Sequence, residues 1–270
     1  MEKTPSAIPY PANPENLADQ FTSFKTLVEI LRRECPWDQK QTHETLSHLL
    51  IEESYETLDA ITKNDDKELS KELGDLLLHI VMHSVIAEER GTFTLTDVLQ
   101  QVFKKLVYRH PHVFGNVNAE DEYEVKRNWE ELKMKEGRKS TLEGVPMSLP
   151  ALLRAQRMQE KAANVGFDWD KPEDVWAKVE EEIAELKHEV LKGDFKKAEQ
   201  EFGDVLFSLV NAARFSKIIA EDSLQMTNTK FLKRFQYIEQ EVLKNGREMK
   251  SMTLGEMDEL WNEAKKIEKS

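Results

Sequence analysis

The sequence predicts an all-α fold built as two tandem helical domains, and three observations carry that expectation. Helix breakers are sparse, with ten Gly and nine Pro among 270 residues, while 33% of residues are charged and 39% apolar, a balance that suits amphipathic helices better than strands. Hairpin signals for strands are weak throughout, and no GxxxxGK[ST] loop occurs. The chain also repeats itself. LIEESYETLDAITKNDDKELSKELGDLLLHIV (50–81) and VEEEIAELKHEVLKGDFKKAEQEFGDVLFSLV (179–210) align at one constant offset, 182 − 53 = 129, which pairs Glu53 with Glu182, Glu56 with Glu185, Glu72 with Glu201 and Asp75 with Asp204. A duplication explains this better than chance.

Each element follows from that frame. Residues 1–15 form a Pro-rich tail. Residues 16–140 form the first domain and 141–270 the second, with the Gly, Ser and Pro of KEGRKSTLEGVPMSLPAL interrupting helical periodicity between them. In the first domain helices are expected over Asn16–Glu34, Thr42–Lys63, Asp66–Glu89, Leu95–Tyr108 and Asp121–Glu136. The second should hold Pro150–Asn164, Pro172–Lys192, Phe195–Ala220, Ser223–Asn245 and Leu254–Lys269.

Composition narrows the partners. A formal net charge of −13 argues against a nucleic-acid polymer, whose phosphates are held by clustered Lys and Arg. Cys35 is the single cysteine, so no intrachain disulfide or thiolate cage can form. No signal-like or membrane-spanning apolar run occurs. A cytoplasmic protein with no membrane partner is expected.

The acids are arranged about turns. Glu182 with Asp204, and Glu185 with Glu201, are both centred on Gly193; the first copy is centred the same way on Asn64. In an antiparallel helical hairpin such pairs lie at equal height, and i, i+3 spacing puts both acids of one helix on one face. Two carboxylates about 6 Å apart repel by ~3 kcal/mol at an effective dielectric near 20, so the arrangement calls for a cation. All-oxygen ligation favours Mg²⁺, with Mn²⁺ as the second choice, over zinc. A single ExxD would be a solvated helix face; its duplication in nested form points to metal.

EESYE (52–56), ELGD (72–75), EEIAE (181–185) and EFGD (201–204) resemble the MazG family of nucleoside triphosphate pyrophosphohydrolases in its tandem-domain form. The likeness extends over CPWD (35–38), RHPHVF (109–114), SLPALLRAQRMQEKAANVGFDW (148–169) and WNEAKK (261–266). It implies domains that complete four-helix-bundle cores by homodimerisation, and Mg²⁺-dependent hydrolysis of NTPs or dNTPs to the monophosphate and pyrophosphate. It also implies that Glu182, Glu185, Glu201 and Asp204 ligate magnesium with Glu181 as a further acid, and that Lys178, Lys197, Lys230, Arg234, Trp261 and Lys265 contact the nucleotide. Glu181 and Glu185 are the candidates for general base.

The copies differ in their cations. Lys178 and Lys197 correspond to Leu49 and Glu68, and, with Phe103 aligned to Phe231, Lys230 and Arg234 correspond to Val102 and Leu106. The first copy therefore keeps the acids of a second possible metal site (Glu53, Glu56, Glu72, Asp75) while lacking these cations, so the second copy is expected to be the main catalyst. Lys104, Lys105 and Arg109, or Trp129 and Lys133 at the positions of Trp261 and Lys265, are the residues that would serve the first pocket instead. His79 and His83 read as satisfied imidazoles in a buried apolar helix, and NVGFDW (164–169) as a loop beside the active site without assigned chemistry. Two alternatives stand beside the broad enzyme: a pyrophosphatase narrowed to one nucleotide such as dUTP or phosphoribosyl-ATP, and a helical interaction protein whose acids only solvate it.

Overall fold

The computed structural model describes residues 6–116, 121–137 and 139–268. Among the described residues there are helices and no strands, as the all-α expectation requires. Contacts divide the chain into two compact units, residues 1–117 and 118–270. The helix Glu122–Lys135, which the sequence suggests ends the first domain, falls in the second of these.

In the first unit α1 (Leu17–Glu34), α2 (His43–Lys63), α3 (Asp66–Glu89) and α4 (Leu95–Arg109) follow in order, with the single turn α5 (Pro111–Phe114) after them. Helix α3 is the hub, packing on α1, α2 and α4. Its apolar face meets theirs in a core of Val28, Leu46, Val81, Met82, Val85, Ile86 and Leu95. Thr42 and Thr94 cap α2 and α4 through reciprocal capping boxes. The RHPHVF stretch ends α4 at His110 and starts α5 with Pro111 at its first position, where a missing N–H is harmless.

The second unit comprises α6 (Glu122–Lys135), α7 (Ala151–Ala163), α8 (Pro172–Lys192), α9 (Phe195–Phe215), α10 (Ala220–Lys244) and α11 (Leu254–Ile267). Helices α8 and α9 pair along their length, α7 packs on α9, α10 packs on α7 and α9, and α11 pairs with α10. Val175, Val179 and Ala212 form the buried cluster between α8 and α9.

Two expectations are corrected. Helix α9 stops at Phe215 rather than Ala220 because Lys217 takes a left-handed conformation (φ 58°) and Ile218 N–H bonds back to Ala213 O at 2.8 Å. This is a left-handed C-terminal cap made without glycine, and α10 then starts three residues earlier than Ser223. His79 and His83 are not satisfied imidazoles. His83 Nδ1 lies 2.8 Å from His43 Nδ1, yet His83 Nε2 and His79 Nδ1 are buried with no hydrogen-bond partner. Burial holds both rings below the ordinary histidine pKa.

Candidate metal centre and its flanking cavity

The two acidic hairpins turn where their symmetry requires. Gly193 closes α8 at φ 76° and Asn64 closes α2 at φ 52°. Glycine and asparagine tolerate this left-handed cap. Asp194 and Asp65 then cap the next helices by accepting from Lys197 N and Glu68 N.

These turns set the register that brings the carboxylates together. In the second unit Glu182, Glu185 and Glu201 each place an oxygen within 4.8 Å of the others, and in the first unit Glu53, Glu56 and Glu72 do the same. Glu182 and Glu72 are buried, at 7% and 1% exposure. Asp204 and Asp75 stand outside these triplets but near enough to raise the pKa of Glu201 and Glu53 respectively. Burial is the larger cause of each rise, with the neighbouring carboxylates adding to it; for Glu56 the Glu72 charge comes first. Such upward shifts mark clustered acids that a cation would relieve.

The donor set fits a divalent cation. It is all oxygen, it comes from two helices, and in the first unit Glu72 Oε2 is buried without a hydrogen-bond partner. A buried anionic oxygen without a partner is costly.

Lysines already touch both clusters. Lys178 Nζ lies 2.7 Å from Glu182 and 3.1 Å from Glu181, and Glu181 stands outside the triplet. In the first unit Lys71 Nζ reaches Glu72 at 2.7 Å and Glu68 at 2.9 Å, and this contact is what holds Glu72 below its ordinary pKa. The reading of the first copy as stripped of cations therefore needs correction: Lys71 supplies one from α3. The offset comparison missed it because Lys71 aligns with Gln200, a position that carries no charge in the second copy.

The other expected nucleotide contacts are dispersed. Lys197 is exposed one turn into α9. Lys230, Arg234, Trp261 and Lys265 gather on the α10–α11 hairpin, where Arg234 pairs with Glu268 at 2.6 Å and sits over the Trp261 ring at 5.3 Å. None of these four lines the cavity beside the acids.

That cavity, of about 710 Å³, is lined by residues of α7, α8, α9 and the loop 164–171, with Lys178, Glu182 and Asp204 among them. Its other walls include Phe167 and Trp169 of NVGFDW, together with Gln159, Phe207, Asn211 and Arg214. Arg214 makes a bidentate pair with Asp168 at 3.0 and 2.5 Å, which ties the loop to α9. Sequence reasoning placed the loop near the site but missed Gln159, Asn211 and Arg214. Apart from the family likeness over 148–169, no spacing signal marks them.

Fold and site define an all-α protein whose duplicated helical hairpins converge acids on two cation-sized spaces, one of them beside a largely apolar cavity. Comparison with known proteins agrees. The model of the MazG nucleotide pyrophosphohydrolase domain matches twice, at residues 41–114 and 170–238. The chain is 43% identical over 250 residues to the nucleoside triphosphate pyrophosphohydrolase/pyrophosphatase MazG of Thermotoga maritima, covering 91% of this chain and 95% of that protein. It is 42% identical to the nucleoside triphosphate pyrophosphohydrolase of Escherichia coli K12, covering 93% and 98%. It is also 46% identical to the uncharacterized protein YabN of Bacillus subtilis, where it covers 94% of this chain and spans 53% of the longer protein. The chain belongs to the MazG family and is a hydrolase. No described helix is long and apolar enough to cross a membrane.

Proposed function

We propose that this protein is a Mg²⁺-dependent nucleoside triphosphate pyrophosphohydrolase, accepting Mn²⁺, that cleaves NTPs and dNTPs between the α and β phosphates. Water adds at phosphorus, the Pα–O–Pβ bridge breaks, and the nucleoside monophosphate and pyrophosphate leave. The observation that carries the reading is the convergence of Glu182, Glu185 and Glu201 within 4.8 Å, with Asp204 and Lys178 lining a cavity of about 710 Å³, large enough for a nucleoside. A bound divalent cation would neutralise polyphosphate charge and activate water.

The chain's own residues divide the remaining work. Glu182, Glu185, Glu201 and Asp204 hold the cation. Lys178, 2.7 Å from Glu182, and the exposed Lys197 are the cations of these two helices that would meet a phosphate oxygen. Glu185, whose carboxylate is in the triplet with Glu182 and Glu201 while that of Glu181 is outside it, is the candidate to take the proton of water. Lys230, Arg234, Trp261 and Lys265 on the α10–α11 hairpin are outside the cavity lining, and their contact with the nucleotide rests on the family resemblance alone. The domain boundary near residue 140, the cytoplasmic setting and the absence of a nucleic-acid partner belong to the same proposal, the last supported by the net charge of −13.

Assembly as a homodimer is part of it. Phe202, Leu206 and Leu209 form an i, i+4, i+7 stripe on α9, and Leu73, Leu77 and Ile80 form the same stripe 129 residues earlier on α3 (202 − 73 = 129). All six are 37–54% exposed. A repeated apolar stripe beside acids, left open in each unit, supports a second copy closing each bundle. Leu206→Glu is expected to shift the protein towards monomer at micromolar concentration in sedimentation velocity. An unchanged dimer, or a monomeric wild type, would count against this assembly.

The activity itself is tested by incubating wild type with a panel of NTPs and dNTPs and resolving the products. Expected are monophosphate and pyrophosphate from several bases, abolished by EDTA and restored by Mg²⁺. Diphosphate with orthophosphate, or turnover indifferent to EDTA, would sink the reading; turnover of one nucleotide alone would replace it with the narrower enzyme.

A further inference from the structure

We infer that the first unit holds a site for a transition metal of the Zn²⁺ type, ligated by Nδ1 of His79 and Nε2 of His83 on α3 and oriented by His43 of α2. It uses none of the acids of the two carboxylate triplets and does not depend on the proposed hydrolysis. Three observations meet at this place.

The first is placement. His79 and His83 are four residues apart on α3, so both rings project from one face of the helix, the spacing at which two imidazoles share a zinc ion. Side chains on a helix lean toward its N-terminus, which carries the His83 ring back over the turn of His79. The ring centroids are 6.2 Å apart. Two imidazoles on one tetrahedral cation stand roughly 5 Å apart, given Zn–N bonds of about 2.1 Å, so the rings close by about 1 Å through side-chain rotation.

The second is a pair of buried nitrogens without partners. His79 is only 8% exposed and its Nδ1 meets no hydrogen-bond partner; nor does the buried Nε2 of His83. A buried polar atom left unpaired is costly, and each such atom in a folded protein calls for a reason. A cation between the rings gives both lone pairs a partner at once.

The third is an orienting hydrogen bond. His83 Nδ1 lies 2.8 Å from His43 Nδ1, with the ring centroids 5.1 Å apart and the planes 14° from parallel. The centroid separation nearly equals the nitrogen distance plus the two ring radii, so the nitrogens point at each other and a single proton lies between them. A neutral imidazole carries one N–H and one lone pair. With that proton on His83 Nδ1, donated to His43, Nε2 is a bare lone pair, the form that binds metal, and a cation selects this tautomer. Metal-bound histidines are commonly fixed in this way, the second ring nitrogen donating to a neighbour. In the second copy Ser208 and Ala212 stand at the positions of His79 and His83 (208 − 129 = 79; 212 − 129 = 83), so the site belongs to the first copy.

The test is calorimetric titration of Zn²⁺ into the full-length protein in millimolar Mg²⁺. His79→Leu and His83→Leu are each expected to bind one Zn²⁺ fewer per chain than wild type, or to bind it at least about tenfold more weakly, while Glu53→Gln keeps it within about twofold. Exchanging an unpartnered buried imidazole for an apolar side chain is expected to leave the melting temperature in EDTA at or above that of wild type, so a lost ion is not a lost fold. His43 gives a readout outside the ligands. His43→Gln, whose carbonyl oxygen accepts the His83 Nδ1–H, should hold Zn²⁺ within about threefold, and His43→Leu should weaken it about tenfold. Unchanged Zn²⁺ binding in both α3 variants overturns the inference, as does an equal loss in Glu53→Gln, which assigns the ion to the acids. Equal affinity in the two His43 variants overturns the orienting role of that residue.

Discussion

The Glu182→Gln protein is expected to release pyrophosphate at least about 100-fold more slowly than wild type, which corresponds to losing ~2.7 kcal/mol of transition-state stabilisation. The Glu53→Gln protein is expected to keep most of its activity. Glu182 is buried, belongs to the α8–α9 triplet and lines the cavity. Amidation there removes a charged oxygen ligand at the point where phosphate, cation and Lys178 meet. Glu53 has similar acids around it, and each cluster has one lysine 2.7 Å from a carboxylate, Lys71 at Glu72 and Lys178 at Glu182, but the positions of Lys178 and Lys197 are held by Leu49 and Glu68 in the first copy. No equivalent of Lys197 waits there for the phosphate. Comparable losses in the two variants would remove the asymmetry between the copies.

The Glu201→Gln protein is expected to change stability in opposite directions with and without magnesium. In the metal-free protein burial, helped by Glu185, Asp204 and Glu182, lifts the Glu201 carboxyl above its ordinary pKa. A carboxylate whose folded pKa is raised binds more protons folded than unfolded between the two values, so its contribution to stability is lost as pH rises through that window. At neutral pH the ionised Glu201 therefore opposes folding, and the glutamine variant should melt higher than wild type in EDTA. With millimolar Mg²⁺ the order should reverse, because wild type gains ligand-linked stability that the variant, weakened by about tenfold or more in metal affinity, does not. The metal-induced rise in melting temperature should also shrink for wild type as pH falls through the raised pKa, since protons then compete with the cation. Calorimetric melts of both proteins, with EDTA and with Mg²⁺ at two pH values, check this. A variant that melts below wild type in both media would show that Glu201 stabilises the metal-free fold and that the acids are not mutually strained.

The sequence carried much of the second hairpin, and for identifiable reasons. Helices α8 and α9 announce themselves by apolar periodicity, by Pro172 at the start and by Gly193 and Asp194 at the turn. Those are local signals, and the equal spacing of the acids about the turn follows from them directly. What was not legible depends on tertiary contact. Lys71 neutralises Glu72 from a neighbouring position on the same helix, which a comparison of aligned positions passes over. The Arg214–Asp168 clamp spans 46 residues and the Gln159 contact with Phe207 spans 48, so neither leaves a periodic trace. The end of α9 was misread because Lys217 adopts a conformation that composition assigns to glycine or asparagine.

On this reading the α8–α9 hairpin is the working metal site, and the α2–α3 hairpin is a duplicate with Leu49 and Glu68 at the positions of Lys178 and Lys197. The most direct measurement is anomalous diffraction from crystals soaked with Mn²⁺ and a non-hydrolysable dNTP. The strongest manganese peaks are expected among Glu182, Glu185, Glu201 and Asp204, with the triphosphate beside them. Manganese and nucleotide seated chiefly among Glu53, Glu56, Glu72 and Asp75, or no manganese between α8 and α9, would contradict it.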